Sequence, residues 1–411
     1  MKKISILALA LTAGMSAVAQ EAVVKEAEKA MKNGKPYAEV MTLIEPATKD
    51  ASTAQQAITY FVPGKAAFKE YDDYLGKRSL GMYKADDPKT PEIFHTMAKD
   101  LVGGYDNFMK ALSLDTVVDA KGKTKTKYSK EIVNILVAHH NDYNTAALDF
   151  WQAKDYKGAY KAWDIYLNMN DIPALAEKIK MPADTIVGEI MYNQALAAWQ
   201  ANDMAGAVSA FKNAVNKGFS KKDVFTYGAA VADGAKDYDN LLFFASKGNE
   251  LFGNEDQNFI NLIINYYLKT EKYDEAVDYL KKAIVASPNV AQYYALLGII
   301  YDNKKEKDAA LETYKKALEL DSENGLANFY YGRGLAAKAG EMQDNYNGKN
   351  YDEYKNQTLV PIYKDSLKYL EKAYDVDKNN RSEILKVLEI VYYNLADEAG
   401  MESVNQRKLE D

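Results

Sequence analysis

The chain reads as all-α, a right-handed α-solenoid of antiparallel helical hairpins, and three observations carry that expectation. Pro is scarce, at 9 of 411 residues, while Ala, Lys, Glu, Leu and Tyr abound, a composition that favours helix. Apolar residues recur at three- and four-residue steps along most of the chain. Small and aromatic residues recur at a longer period of 34 residues, as stacked helical hairpins require. Length alone would suggest two or three domains, a prior that fails for repeat arrays.

The clearest unit is Ala291–Asn324, with Tyr294, Leu297, Gly298, Tyr301, Ala310, Tyr314 and Ala317 at places 4, 7, 8, 11, 20, 24 and 27. Two antiparallel helices approach closely only where one presents Gly or Ala to the other, and larger residues three or four positions away fill the surrounding space. On these residues the unit resembles the tetratricopeptide repeat. Gln257–Val290 fits the same frame through Ile260, Ile263, Tyr267, Ala276, Leu280, Ala283 and Pro288. Gly188–Lys221 fits through Ala195, Ala198, Ala207, Phe211 and Ala214, and His140–Pro173 through Ala147, Phe150, Ala159, Trp163 and Tyr166. Lys222–Glu255 is a degenerate copy, in which Gly248 serves for Ala and Leu241 replaces a small residue. A further unit, 325–378, opens with Tyr331, Gly332 and Leu335 and is split by the loop "GEMQDNYNGKNYDEYKNQTLV" before a second helix over 362–376. Residues 381–410 keep Ile384, Leu388 and Val391 and then turn charged, as the exposed end of a solenoid must.

The first third is less regular, and residues 20–129 are read as irregular helical repeats ahead of a regular array over 130–411. Apolar spacing predicts helices over 22–32, 36–49, 54–77 and 91–112. Pro63 is expected to kink the third of these. Insertions stand at 114–130 and 172–184.

Residues 1–19 read as a secretory signal peptide. Lys2 and Lys3 precede an apolar run too short for a membrane span, and Ala17-Val18-Ala19 offers a cleavage site ahead of Gln20. No Cys follows that site, which argues against a lipid anchor, and no later stretch is apolar enough to span a bilayer. The expected location is therefore the periplasm or the cell exterior. Removing Lys2 and Lys3 takes the formal charge from −7 to −9. That acidity, with only four Arg, argues against a nucleic-acid partner. With no Cys, disulfides, thiolate metal sites and thiol catalysis are excluded.

No residue set points to an enzyme, a metal or a cofactor. His139 and His140 are adjacent on a helix, their side chains about 100° apart, and cannot close on one ion. His95 is remote from both. The stretch 375–386 lacks the Gly and the final Glu of a calcium loop and reads as a turn. Lys121, Lys123, Lys125 and Lys127 read as an exposed loop, and the Tyr-rich 345–354 as a solvated insertion with a binding lid as the alternative.

The resemblance implies recognition along the concave face, lined by places 2, 5, 9, 12 and 13 of each first helix. In this chain those places give Asn258, Asn261 and Asn265, then Gln292 and Asp302, then Phe329 and Arg333, with Tyr192, Trp199, Asn144 and Trp151 in earlier units. The candidate partner-binding set is Asn258, Asn261, Asn265, Gln292, Arg333, Tyr192, Trp199, Asn144 and Trp151. The family's carboxylate clamp is not reproduced: its Lys is missing beside Asn261 and Asn265, Leu296 stands in the next unit, and Arg333 falls at a different place. The expectation is a non-enzymatic scaffold of the periplasm or cell envelope that binds a protein or peptide. The alternative is a glycan-binding solenoid, in which Trp and Tyr stack on sugar rings while Asn amides pair with hydroxyls.

Overall fold

The computed structural model describes residues 20–118, 124–253 and 255–410; the expected signal segment, Lys121 and Lys123 lie outside them. Two compact units divide the chain, residues 1–240 and 241–411.

The first unit is built from paired helices: α1 (20–32), α2 (Tyr37–Lys49), α3 (Ala57–Ser79), α4 (Thr90–Leu114), α5 (Ser129–Ala138), α6 (Asp142–Gln152), α7 (Tyr156–Asn168), α8 (Asp184–Gln200), α9 (Met204–Asn216) and α10 (Lys222–Gly234). These bounds follow the apolar spacing closely. α3 continues unbroken through Pro63, which sits buried in its second turn. Phe68, Phe108, Tyr143, Phe150 and Trp163 fill one core, and α1 and α2 close a second against Val62 and Ala67. The seam residues Ala147, Ala159, Ala195, Ala207, Phe211 and Ala214 are fully or almost fully buried.

Two insertions take shapes that the repeat pattern does not specify, and the segment 340–360, expected as a loop, is largely helical because the helix from Gly325 runs on to Asp344 and helical turns resume at Tyr351. The insertion at 114–130, expected as an exposed loop, forms a two-residue ladder in which Val117–Val118 pairs antiparallel with Thr124–Lys125. Its exit is tied down by the Asp115 carboxylate, which accepts the backbone N–H groups of Lys127, Tyr128 and Ser129 and the Ser129 hydroxyl. Burial pushes the Asp115 carboxyl up, but those donors outweigh it and hold it below the usual carboxylate range. The 172–184 insertion packs inward, with Leu175 and Ile179 buried in the main core of this unit.

The second unit contains most of α11 (Tyr238–Phe252), then α12 (Asn258–Lys269), α13 (Tyr273–Ala286), α14 (Ala291–Asn303), α15 (Lys307–Leu320), α16 (Gly325–Asp344), α17 (Tyr351–Tyr354), α18 (Val360–Val376), α19 (Arg381–Leu395) and α20 (Glu398–Glu410). A π-helical turn, Lys355–Leu359, joins α17 to α18. Gly298, Ala310, Tyr314 and Ala317 are buried on the seam between α14 and α15, as the repeat pattern requires.

The turns supply an independent signature of the repeat. Lys154, Asn202, Lys236, Glu271 and Lys305 all have left-handed backbone, with φ between 55° and 64°, and each stands at place 15 of its 34-residue frame. In every case the next N–H bonds back to a carbonyl five residues earlier, from Asp155 to Phe150 (2.9 Å) through to Glu306 to Tyr301 (2.9 Å). This closes each first helix with the same left-handed cap. A left-handed conformation costs a residue with a Cβ about 1–2 kcal/mol, while Gly loses about 0.5–1 kcal/mol of chain entropy. Lys236→Gly and Lys305→Gly are therefore each expected to stabilise the protein by roughly 0.5–1 kcal/mol in chemical denaturation. Asn202→Gly should gain less, because Asn tolerates this region. A loss of stability in both Lys variants would contradict the cap.

Candidate functional site

On α12, Asn258 is exposed while Asn261 and Asn265 are half-buried. The Asn261 side-chain oxygen accepts from Gln292 Nε2 at 2.8 Å, and Gln292 Oε1 accepts from Asn324 Nδ2 at 3.3 Å. Asn324 in turn caps α16 by accepting the Ala327 N–H at 2.9 Å. A chain of amides thus links three successive first helices, and the structure brings Asn261 and Gln292 together as part of it. Asn324 was not singled out by sequence reasoning. Its signal was its place at the N-cap of a helix, 32 residues after Gln292.

Further along the same helices the surface opens. α16 has 20 residues against 13 in α14, so its last two turns project past the end of α14. Beside that step lies a cavity of about 710 Å³, floored by Leu311, Ala337 and Met342 and walled by Tyr346 and Tyr354. The Tyr-rich insertion therefore packs as a wall. Tyr346 and Tyr354 stack at 4.1 Å with rings 13° apart, and the Tyr354 hydroxyl donates to the Met342 carbonyl at 3.3 Å. The cavity's other charges stand beside opposite ones, Lys307 paired with Glu341 and Lys338 at 4.0 Å from the exposed Asp308.

Arg333 stands on the crest of α16. Its guanidinium lies 4.4 Å from the Tyr330 ring and 3.4 Å from the Asp302 carboxylate. Asp302 is itself fixed by the Tyr314 hydroxyl, which donates to it at 2.9 Å. Burial, and then Asp302, push the Tyr314 phenol far above its ordinary range, so this hydroxyl keeps its proton. One hydrogen bond, to Asp302 at 3.4 Å, engages a single one of the five guanidinium N–H donors, and the Arg333 side chain is 43% exposed.

On the other flank of α16, Ala336, Gly340, Tyr363, Val387 and Ile390 surround a second cavity of about 470 Å³, which shares Arg333 and Ala337 with the first. It shares Gln343 and Asn394 with a third, of about 730 Å³, beside Tyr351, Tyr393 and Met401. Ile390 is 56% exposed and Tyr393 75% exposed, unusually bare for side chains of their size.

The first-unit candidates are occupied differently. Asn144 accepts the Trp163 indole N–H at 2.9 Å, and Trp163 is core. Half-buried Trp151 meets the Tyr156 ring edge-on at 5.1 Å, and Tyr192 stacks on Phe219 at 5.0 Å. Trp199 is half-exposed against Tyr227 at 5.7 Å. Trp151, Tyr192 and Trp199 each have a neighbouring ring, and of the three Tyr192 is the one stacked on it.

The histidines are structural. His140 Nε2 donates to the Tyr166 carbonyl at 2.8 Å, and burial lowers its pKa below the usual imidazole value. His139 lies between Asp142 and Asp72, and His95 bonds the Asp155 carboxylate that caps α7. Among the described residues, no group of His, Asp and Glu is arranged to hold a metal ion, and no helix is long and apolar enough to cross a membrane.

Residues 262–325, within α12–α16, match the tetratricopeptide repeat family model. The chain is 23% identical over 310 residues to the TPR repeat-containing protein MJ1428 of Methanocaldococcus jannaschii, an alignment covering 67% of this chain and 50% of that one. It is 35% identical over 63 residues to anaphase-promoting complex subunit 3 of Schizosaccharomyces pombe, covering 15% of this chain and 10% of that one. The chain thus spans half the length of the first relative and a tenth of the second. Among solved structures it is similar to MamA from Desulfovibrio magneticus RS-1, 16% identical with a TM-score of 0.32, covering 48% of this chain and 98% of that one. With the seam residues and the recurring left-handed caps, the family-model match identifies residues 262–325 as tetratricopeptide repeats carried within the second unit of this chain.

Proposed function

We propose that the protein is a non-catalytic scaffold that binds a polypeptide partner along the exposed first helices of its second unit. The carrying observation is the run of three adjoining cavities around α16, with Arg333 between two of them. Apolar floors, an orienting cation and half-exposed amides suit the mixed apolar and backbone chemistry of a peptide. The sugar-binding alternative needs bare aromatic faces: Trp151, Tyr192 and Trp199 each have a neighbouring ring, and the aromatic side chain left largely bare beside these cavities is Tyr393. On the reading of residues 1–19 as a signal peptide, the scaffold works in the periplasm or outside the cell, with its partner in the envelope.

A photo-crosslinking residue placed at Ala337 of the full chain, expressed in its own envelope, is expected to trap a polypeptide. Arg333→Glu should then weaken binding of that purified polypeptide at least tenfold. The reading fails if oligosaccharides change Trp199 fluorescence while no polypeptide is trapped. Location is checked separately: N-terminal sequencing of the mature chain should begin at Gln20, and a start at Met1 would refute export by this route.

A further inference from the structure

The two cavities that share Arg333 lie on opposite flanks of one helix, and what separates them is a low ridge. Ala337 is exposed on that ridge, and a Cβ added at Gly340 would approach no closer than 4.0 Å to its nearest neighbour, the Tyr363 hydroxyl. A ridge of such small residues lets a crossing backbone come close while its side chains drop to either side. A helix with its side chains is about 10 Å across, and a chain in the extended polyproline II conformation advances about 3.1 Å per residue with every third side chain on the same side. Two side chains about three positions apart therefore match the two cavities.

The charge pattern narrows the occupant. Lys307, Lys338 and Arg333 are balanced in the first cavity by Glu341, Asp308 and Asp302, each cation facing its own carboxylate. The second cavity adds only Asp344 to the shared Arg333, and its walls are otherwise mostly apolar. A lining without net charge gains nothing from a charged segment and would leave that segment's own charges partly desolvated. The free donors of Arg333 then serve backbone carbonyls of the crossing chain.

Building on the scaffold reading, we propose that the second unit recognises an extended, uncharged segment carrying two large apolar or aromatic side chains three positions apart. One side chain enters the cavity at Leu311 and Met342, and the other the cavity at Val387 and Ile390. Arg333 holds the backbone between them.

The probe is an array of end-capped decapeptides, each with two Phe or Leu residues one to five positions apart in a Ser/Gly background, plus versions carrying Glu or Lys pairs. Binding of the full chain is expected to peak at a separation of three, to favour the uncharged set, and to change less than twofold between 0.05 and 0.5 M salt, since no net charge is neutralised. Ala337→Trp, which fills the ridge from an exposed position, should reduce it at least tenfold with an unchanged melting profile. Ile390→Glu blocks the second cavity independently and should do the same. If peptides bind but respond to Asn261→Ala with Asn265→Ala and ignore Ala337→Trp and Ile390→Glu, the scaffold reading stands and this inference falls. Preference for charged peptides lost in salt also overturns it. If no peptide binds at any spacing, both readings fall.

Discussion

Gly298→Ala is expected to cost about 3 kcal/mol, although Ala is the better helix former by nearly 1 kcal/mol. A Cβ at residue 298 would lie 2.3 Å from the Tyr314 ring, deep inside contact distance. That ring cannot swing aside, because Tyr314 is fully buried and its hydroxyl is bonded to Asp302. Either α14 and α15 separate or Tyr314 lets go of Asp302. The unfolding transition of the second unit should fall by roughly 6–12 °C, at about 2–4 °C per kcal/mol for a unit of this size. Gly340→Ala is the matched control: the same chemical change where there is open space, on an equally helical backbone. It should stabilise by roughly 0.5 kcal/mol or more. Equal effects at the two positions would refute the seam argument. Loosening Tyr314 should also release Asp302 and Arg333, so Gly298→Ala is expected to weaken partner binding beyond its effect on stability.

The second large effect lies in the first unit. Arg78 on α3 grips Asp149 on α6 through two guanidinium nitrogens, at 2.8 and 3.3 Å, and lies 4.0 Å from the Phe94 ring. The Asp149 side chain is only 6% exposed. Removing one partner of a buried pair strands the other charge, and Arg78→Ala is expected to cost about 3 kcal/mol in chemical denaturation, the lower end of the usual range because Arg78 itself is partly exposed. Replacing both partners by apolar residues, Arg78→Met with Asp149→Leu, should recover most of that loss. A single variant that loses less than about 1 kcal/mol, or a double no more stable than the single, would show that the pair is solvated.

Much of the fold could be read from residue spacing because a helical repeat satisfies its backbone locally and buries its seam against near neighbours. Gly298, Ala310, Tyr314 and Ala317 sit where the 34-residue pattern puts them, and even degenerate Leu241 is fully buried. Places on the seam are fixed by one hairpin's own geometry, so one hairpin's sequence reveals them. The two-residue ladder at Val117 and Lys125 escaped that logic, because it depends on Asp115 collecting donors twelve to fourteen residues away.

The candidate site was legible only in outline. Arg333, Asn261 and Gln292 were candidates from their places in the repeat, but the bonding of Gln292 to Asn261, the burial of Trp163 over Asn144 and the ring packing of Trp151 and Tyr192 depend on partners in other elements. The same holds for the Tyr346–Tyr354 wall, made from an insertion that has no repeat pattern to read. Residue spacing alone specifies the hairpin, its period and the side chains that must face inward, since helix geometry links each of those to residues a few positions away. Where cavities open depends on long-range packing, because a cavity is set by how far α16 outruns α14 and by which distant side chains leave the space between them unfilled.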